Sequence, residues 1–553
     1  MQALSNQFRS LRGLRRVIGT FIFFIIVVRP PPALAASEFT TSFHSLYTIA
    51  SDGETSVTHT ITLKNNLAYV YATNYSLATS GDHLSQITAR DDSGPIGLTT
   101  TVQNGLTTIH LEITRPSIGK DQEKILTLSY RTDDVVEKLG QTTTVNIPRL
   151  SRANEAQDYT RVVKIEGVQD LPQLIYPPQS KTEPDGAYTI YTFYAHQADS
   201  LTLLFGDSVT YRLSLTYELK NKELTALDSE LALPPDTPYQ HILLDSITPP
   251  PLDIHLDQDG NWLARYHLKS QDTLLVKAVL FATIYPRPIL PDPSSRALPK
   301  TSHSIYWDTG ASSVQDLSSQ LKTPANIYTY LVSNFTYNYS VLSGTPKRLG
   351  TVQALASPGG VLCTEFTDTF VTLARSLKIP SREINGYGYT KNRALQPQND
   401  ETDILHAWPE FYSQDQDTWI QVDPTWGNTT GGIDYFNKLD FSHITFVRHG
   451  QEDSYPLPAG AYKTNPADKY VQVEIAQDIP QVDSSSKTVG DLIYNTGNVA
   501  LINDTVGYLP PYGSFSSPDN RILSLYDKIK LLCERLLSKL WQLRRVFTPP
   551  STS

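Results

Sequence analysis

Cysteine and methionine are almost missing from this chain: its 553 residues hold two cysteines, Cys363 and Cys533, and one methionine. Two thiols cannot sustain a disulfide scaffold, so the domains must stand on ordinary apolar cores, and the length allows three or four of them. The one disulfide the count permits would join Cys363 to Cys533. An excess of positive charge is missing too. Lys and Arg number 46 against 56 Asp and Glu, a formal net charge of −10, which argues against nucleic acid as a partner. Metal-ligand spacing is equally scarce. His59 and His110 lack companion ligands, and the acidic stretch Asp257-Gln258-Asp259-Gly260-Asn261-Trp262 lacks the distal bidentate carboxylate of a calcium loop, so it reads as an Asp-Gly hairpin turn. Neither metal nor any other cofactor is expected.

The first 35 residues read as a targeting segment. Arg9, Arg12, Arg15 and Arg16 precede an apolar run from Val17 to Val28, and Ala33-Leu34-Ala35 offers small residues for cleavage. That run falls short of the about 20 residues of an ordinary membrane span. Export with cleavage after Ala35 is therefore expected, giving a secreted or cell-surface protein. Loss of the segment removes five arginines and no acid, which deepens the net charge from −10 to −15.

Residues 36–150 alternate apolar and β-branched positions, as in Ser56 to Leu63 and Ile125 to Tyr130, with turn signals between them. This predicts a β-sandwich. A second β-rich domain is expected at 151–291, with strand candidates at Tyr188–Tyr194, Leu201–Leu204, Val209–Tyr217 and Leu274–Ile284. Five prolines between Pro286 and Pro299 mark a semi-rigid linker, placed at 292–300.

The chemistry concentrates in 301–450. Val314 to Ser333 predicts helices broken at Pro324, followed by an extended aromatic stretch, Phe335 to Tyr339. After Gly359-Gly360-Val361-Leu362-Cys363, the residues Phe366, Phe370, Leu373 and Leu377 recur at helical spacing. Cys363 then falls at a helix N-terminus, where unpaired N–H groups and the dipole favour a thiolate. Lys378-Ile379-Pro380 ends the helix. Downstream, Leu405 to Tyr412 and Thr418 to Asp423 read as two strands of a hairpin, which brings His406 and Asp423 together. A nucleophile, a base and a carboxylate that orients the base make a Cys363-His406-Asp423 triad. His443 and His449 are rival bases, and the hairpin with Asp423 favours His406.

Five pieces in this order, Gly360-Val361-Leu362-Cys363, Pro380-Ser381-Arg382, Gly386-Tyr387, His406-Ala407-Trp408 and Val422-Asp423-Pro424-Thr425, resemble the transglutaminase-like superfamily, with its papain-like α+β core. The resemblance covers about Thr301 to Gly450 and extends weakly to the β-domains that accompany this core in secreted bacterial proteins. It implies acyl transfer from a protein or peptide carboxamide, either a glutamine side chain or an amide bond, through a thioester. Leu362 between Gly-Val and Cys, and Pro409 after Trp408, depart from the usual pattern. The Cys363 N–H is one candidate oxyanion donor, and the resemblance adds an upstream aromatic, Tyr337 or Tyr339, as a second. Arg382 and Trp408 are expected to shape the site around the triad. The same residues leave open a cysteine protease or amidase, and a non-catalytic cell-surface module with a vestigial triad.

A small β extension is expected at 451–515, packed on a neighbour. At 516–547 an apolar stripe from Ile522 to Phe547 predicts an amphipathic helix. From Arg521 to Phe547 it carries seven Lys/Arg against two acids, which suits an anionic membrane surface or a helical partner. The whole reads as a multidomain chain: all-β sandwich-like domains, an α+β core and a C-terminal helix.

Overall fold

The computed structural model describes residues 38–516, apart from 82, 104, 149, 152–155, 168–171, 180, 196–199, 295–303, 342–346, 391–392, 394, 398–402, 404 and 466–467. The leader at 1–35, residues 295–300 of the linker, and all but the first residue of the helix expected at 516–547, Cys533 included, lie outside the described residues. Among the described residues no helix is long and apolar enough to cross a membrane.

The alternation in the N-terminal third does what period-2 patterning requires: along Thr55–Asn65 every second side chain is buried. That strand lies beside Phe39–Ile49 in an eight-stranded sheet. Facing it across one apolar core are a four-stranded sheet, which includes Thr142–Ile147 and Leu201–Phe205, and a three-stranded sheet around Leu106–Glu112. The core runs from Phe43 to Phe205, so the boundary expected at 150/151 falls inside this sandwich. The reason is a long-range pairing that local pattern does not reveal: Ala156–Glu166 runs parallel to Phe39–Ile49 and carries the sheet on to Tyr188–Ala195. His59 is part of this core, with its ring between Ser45 Oγ at 2.7 Å and Tyr130 Oη at 3.1 Å.

A second sandwich starts at Val209. Its larger sheet orders the strands Gln240–Thr248, Thr273–Ile284, Val209–Lys220 and Val471–Ile475, and the smaller one is Leu227–Leu233, Trp262–Leu268 and Asp253–Leu256. The acidic stretch Asp257 to Asn261 is the hairpin turn of that smaller sheet, with Asp257 Oδ1 accepting from the Asn261 N–H at 2.8 Å. Val471–Ile475, from the small extension expected to pack on a neighbour, pairs along Val209–Lys220. The remaining small strands, up to Ser514–Ser516, pack on the same sandwich, where Tyr508 Oη donates to Asp236 Oδ2 at 2.7 Å.

Among the described residues the α+β core has five α-helices, α1 (Ser312–Leu321), α2 (Pro324–Asn334), α3 (Thr351–Ala356), α4 (Cys363–Ser376) and α5 (Pro424–Thr429). They stand with an antiparallel sheet ordered Thr418–Gln421, His406–Ser413, Ser381–Gly388 and His443–His449. Thr323 caps α2 and Pro324 occupies its first turn, so the proline starts a helix here rather than merely breaking one. The outer strand, His443–His449, is covered by side-chain amides of the second sandwich. Gln240 bonds both the N–H and the C=O of Thr445, and Asn261 does the same for Arg448. Phe441, Ile444 and Phe446 continue into the sandwich core. The site's sheet is thus built against a β-domain, which protects its edge.

Candidate active site

Cys363 is the first residue of α4 and is 8% exposed. Two features fix it there. Leu362, the inserted residue, takes an extended conformation as the helix cap, and its N–H donates to the Glu365 carboxylate at 2.9 Å. The other Glu365 oxygen accepts from the Leu349 N–H at 2.9 Å, which ties the preceding loop to the helix start. Just upstream, Val361 bridges to Tyr337 in parallel register. At the far end, Lys378 adopts φ 64°. Its N–H bonds the Arg375 carbonyl at 2.9 Å and the Ile379 N–H bonds that of Ala374 at 3.0 Å. A left-handed residue and this bond pair end the helix before Pro380 has to.

His406 opens its strand, and Nε2 lies 2.8 Å from Asp423 Oδ2, both side chains being fully buried. Asp423 reaches it from a helix cap, not from a paired strand position. Its Oδ1 accepts from the Thr425 and Trp426 N–H groups at 2.8 and 3.1 Å, so α5 and the histidine share one carboxylate. Pro409 does not interrupt the strand. Its carbonyl accepts from Val422 N–H at 3.1 Å, and one ladder bond on that side is all that its missing N–H removes.

The other ring nitrogen of His406, Nδ1, makes no hydrogen bond of ordinary geometry, and Cys363 is the group that acts on the ring from that side. Burial opposes charge on His406, yet Asp423 and then Cys363 outweigh it and lift its pKa to about 9. Burial likewise opposes charge on Asp423, and the two histidines against it hold its carboxyl far below the usual range. An imidazole held by a carboxylate through one nitrogen, with the other left for a thiol, is the arrangement a nucleophilic cysteine requires.

The structure brings most of the expected residues together. Trp408 lies 5.6 Å from His406 in a stacked arrangement, and its Nε1–H donates to Gln421 at 3.1 Å. Tyr337 is buried, and burial first and Cys363 second push its hydroxyl well above the ordinary range. Tyr339 is half-buried against Tyr337 at 5.0 Å, and burial raises its hydroxyl. Arg382 is not at the site. It pairs with Glu410 four register positions along from the Gly386–His406 pair, about 13 Å at 3.3 Å per residue. There its guanidinium stacks on Trp419 and meets Asp292 at 3.2 Å.

Several contributors were not legible in the chain. Trp426 also stacks on His406, at 4.9 Å with planes 13° apart, and Glu365 locks the helix start. His443, a rival base by sequence, sits behind Asp423, with Nε2 at 3.2 Å from Oδ2. The spacing Asp440-x-x-His443 was its one local signal. Among the described residues, two groups gather three potential ligand atoms within 4.8 Å: His83, Asp133 and Asp134 on the first sandwich, and His406, Asp423 and His443. The first is a surface cluster. In the second, both imidazoles hydrogen-bond to Asp423.

The sequence comparisons agree with this geometry. Residues 309–424 match the transglutaminase-like superfamily, so this stretch is a transglutaminase-like core. No curated protein matches the chain in sequence. Similar solved structures include a candidate cysteine protease from Cytophaga hutchinsonii, 15% identical with a TM-score of 0.30, covering 49% of this chain and 87% of that one. Another is the periplasmic domain of TgpA from Pseudomonas aeruginosa, 15% identical with a TM-score of 0.23, covering 41% and 97%. An M1 zinc metallopeptidase from Deinococcus radiodurans is 12% identical with a TM-score of 0.22, covering 34% and 45%.

Proposed function

We propose that this chain is an exported thiol acyltransferase that acts on protein or peptide carboxamides through a thioester on Cys363. The observation that carries the reading is the His406 Nε2 to Asp423 contact of 2.8 Å, which fixes the imidazole and leaves Nδ1 for the thiol. In the first half-reaction the Cys363 sulfur, as thiolate, attacks the carboxamide carbon. The negative oxygen of the tetrahedral intermediate is received by the Cys363 N–H, which has no partner within its own helix, and by the Tyr337 hydroxyl. His406 then passes the Nδ1 proton to the leaving nitrogen, the C–N bond breaks, and ammonia or an amine departs.

In the second half-reaction an amine attacks the thioester. His406 takes its proton, the C–S bond breaks, and the thiolate is restored. A glutamine donor and a lysine acceptor would give an isopeptide cross-link, whereas water in place of the amine would give hydrolysis. Export rests on the basic, apolar and small-residue order of residues 1–35, and the mature protein would begin at Ala36, which N-terminal sequencing reads directly.

The test is mass spectrometry of the mature protein with glutamine-containing peptides, with and without a labelled primary amine, beside Cys363→Ala. Amine incorporation that needs Cys363 supports the reading. Cleavage or deamidation alone replaces it with a hydrolase, and no Cys363-dependent product in either case overturns it.

A further inference from the structure

Asp423 does not serve His406 alone. Oδ2 lies 2.8 Å from Nε2 of His406 and 3.2 Å from Nε2 of His443. Behind His443, Nδ1 lies 2.7 Å from Asp440 Oδ1, the oxygen that also accepts from the Ser442 N–H at 2.8 Å. All four side chains are buried. A neutral imidazole has one N–H and one bare lone pair, and the lone pair would then face one of two carboxylate oxygens. Contact with carboxylates at both nitrogens therefore calls for both protons, and His443 is an imidazolium.

The groups around it leave little else to neutralise that charge. Asp423 and Asp440 flank the ring, the His406 ring stands 5.8 Å away, and Trp408, Trp426 and Tyr435 pack at 4.9, 4.4 and 6.0 Å. Lys438 sits 4.8 Å over Tyr435 and acts on Asp440. A cation thus draws on the same carboxylate oxygen that holds the proton of His406.

We propose that His443, fixed by Asp440, is a positioning residue that loosens the hold of Asp423 on His406 and so sets the pH at which His406 releases its proton. The inference rests on the reading of Cys363 and His406 as the reacting pair. It gives His406 the property the first half-reaction needs, because a base held too tightly by its carboxylate is a poor donor to a leaving nitrogen.

The experiment is the pH dependence of Cys363 alkylation by iodoacetamide in the full chain, read by peptide mass spectrometry so that Cys533 is scored apart. In the wild type the rate should rise in two steps, the upper one as His406 loses its proton. His443→Gln keeps a hydrogen-bond donor without the charge, and its upper step should move up by about one pH unit. His443→Phe keeps the ring packing and should move the step in the same direction, so it decides the matter if the glutamine variant does not fold. An upper step that stays in place in either folded variant would overturn the inference and leave His443 a packing residue. A wild-type profile with a single step of an ordinary thiol would overturn the reacting pair itself, and this inference with it.

Discussion

Gly386 stands opposite His406 in the central ladder, at a place with no room for a side chain. A Cβ there would fall 2.1 Å from the Ile444 carbonyl oxygen and 2.7 Å from the Trp408 ring. The strand carrying the histidine and the strand carrying His443 both close on this glycine. Gly386→Ala should therefore separate the ladder and tilt Trp408 against His406, at a cost of about 1–3 kcal/mol as an overpacked core position. Urea unfolding should show the lower midpoint, and Cys363 should alkylate more slowly in the folded fraction. An alanine variant with wild-type values in both measurements would mean that the sheet yields here more easily than its contacts imply.

Cys363→Ala should abolish about 10⁴-fold or more of any amide-directed activity with the fold intact. Asp423→Asn separates two duties of one residue. An asparagine side-chain oxygen still caps α5, so circular dichroism should be unchanged. It cannot hold the imidazolium, so kcat/KM should fall by about 10³ to 10⁴. A variant that unfolds, with its cap oxygen still present, would show that the buried charge of Asp423 against His406 and His443 holds the fold. Retained activity would remove it from the mechanism.

The order Cys363, His406, Asp423 was legible because each residue lies in a local pattern: a glycine-led helix start and a short hairpin with a polar loop. The helices on either side of Pro324 were legible for the same reason. What failed was what depends on distant pairing. The domain boundary at 150/151 ignored a parallel strand more than 100 residues from its partner, and period-2 alternation carries no information about which strand lies alongside. Arg382 stands in a motif next to the site's strand, but a β-strand carries a neighbour in sequence about 3.3 Å further per residue, so four positions take it to the other end of the sheet. His443 was visible as a histidine, while its place behind Asp423 depends on the sheet order.

Arg382 has a structural duty that can be told apart from a catalytic one. Its guanidinium meets Glu410, Asp292 and, at 3.3 Å, the Asp259 carbonyl of the second sandwich, and Arg448 shares Asp292 at 3.0 Å. Arg382→Met would leave Glu410 buried with its charge unmatched, and losing one partner of a buried pair costs about 3–5 kcal/mol. The expected result is a large drop in the urea midpoint with the pH profile of Cys363 alkylation unmoved in the folded protein. A shifted profile with unchanged stability would return Arg382 to the site.

The shared carboxylate also makes folding stability depend on pH. His406 and His443 are raised from 6.5 to about 9 in the folded protein, after burial, which acts the other way, is outweighed by Asp423 for the first and by Asp440 with Asp423 for the second. Groups raised on folding contribute fully below their unfolded pKa and lose that contribution as pH rises through the folded value. Asp423 is depressed, so its contribution is present above the ordinary carboxylate range and is lost only in strong acid. Stability should accordingly be highest near pH 5–6 and fall between pH 6.5 and 9.5. At about 1.4 kcal/mol per pH unit the loss is about 3 kcal/mol for one histidine, and less than twice that for two that share Asp423. Urea unfolding at pH 6 and pH 9.5 measures it, with Asp423→Asn as the comparison. Removing the shared carboxylate should flatten the fall by lowering stability at pH 6 more than at pH 9.5. Equal slopes in the two proteins would show that the histidines are not charged in the folded state, and the hydrogen bonds at 2.8 and 3.2 Å would then be made by neutral rings.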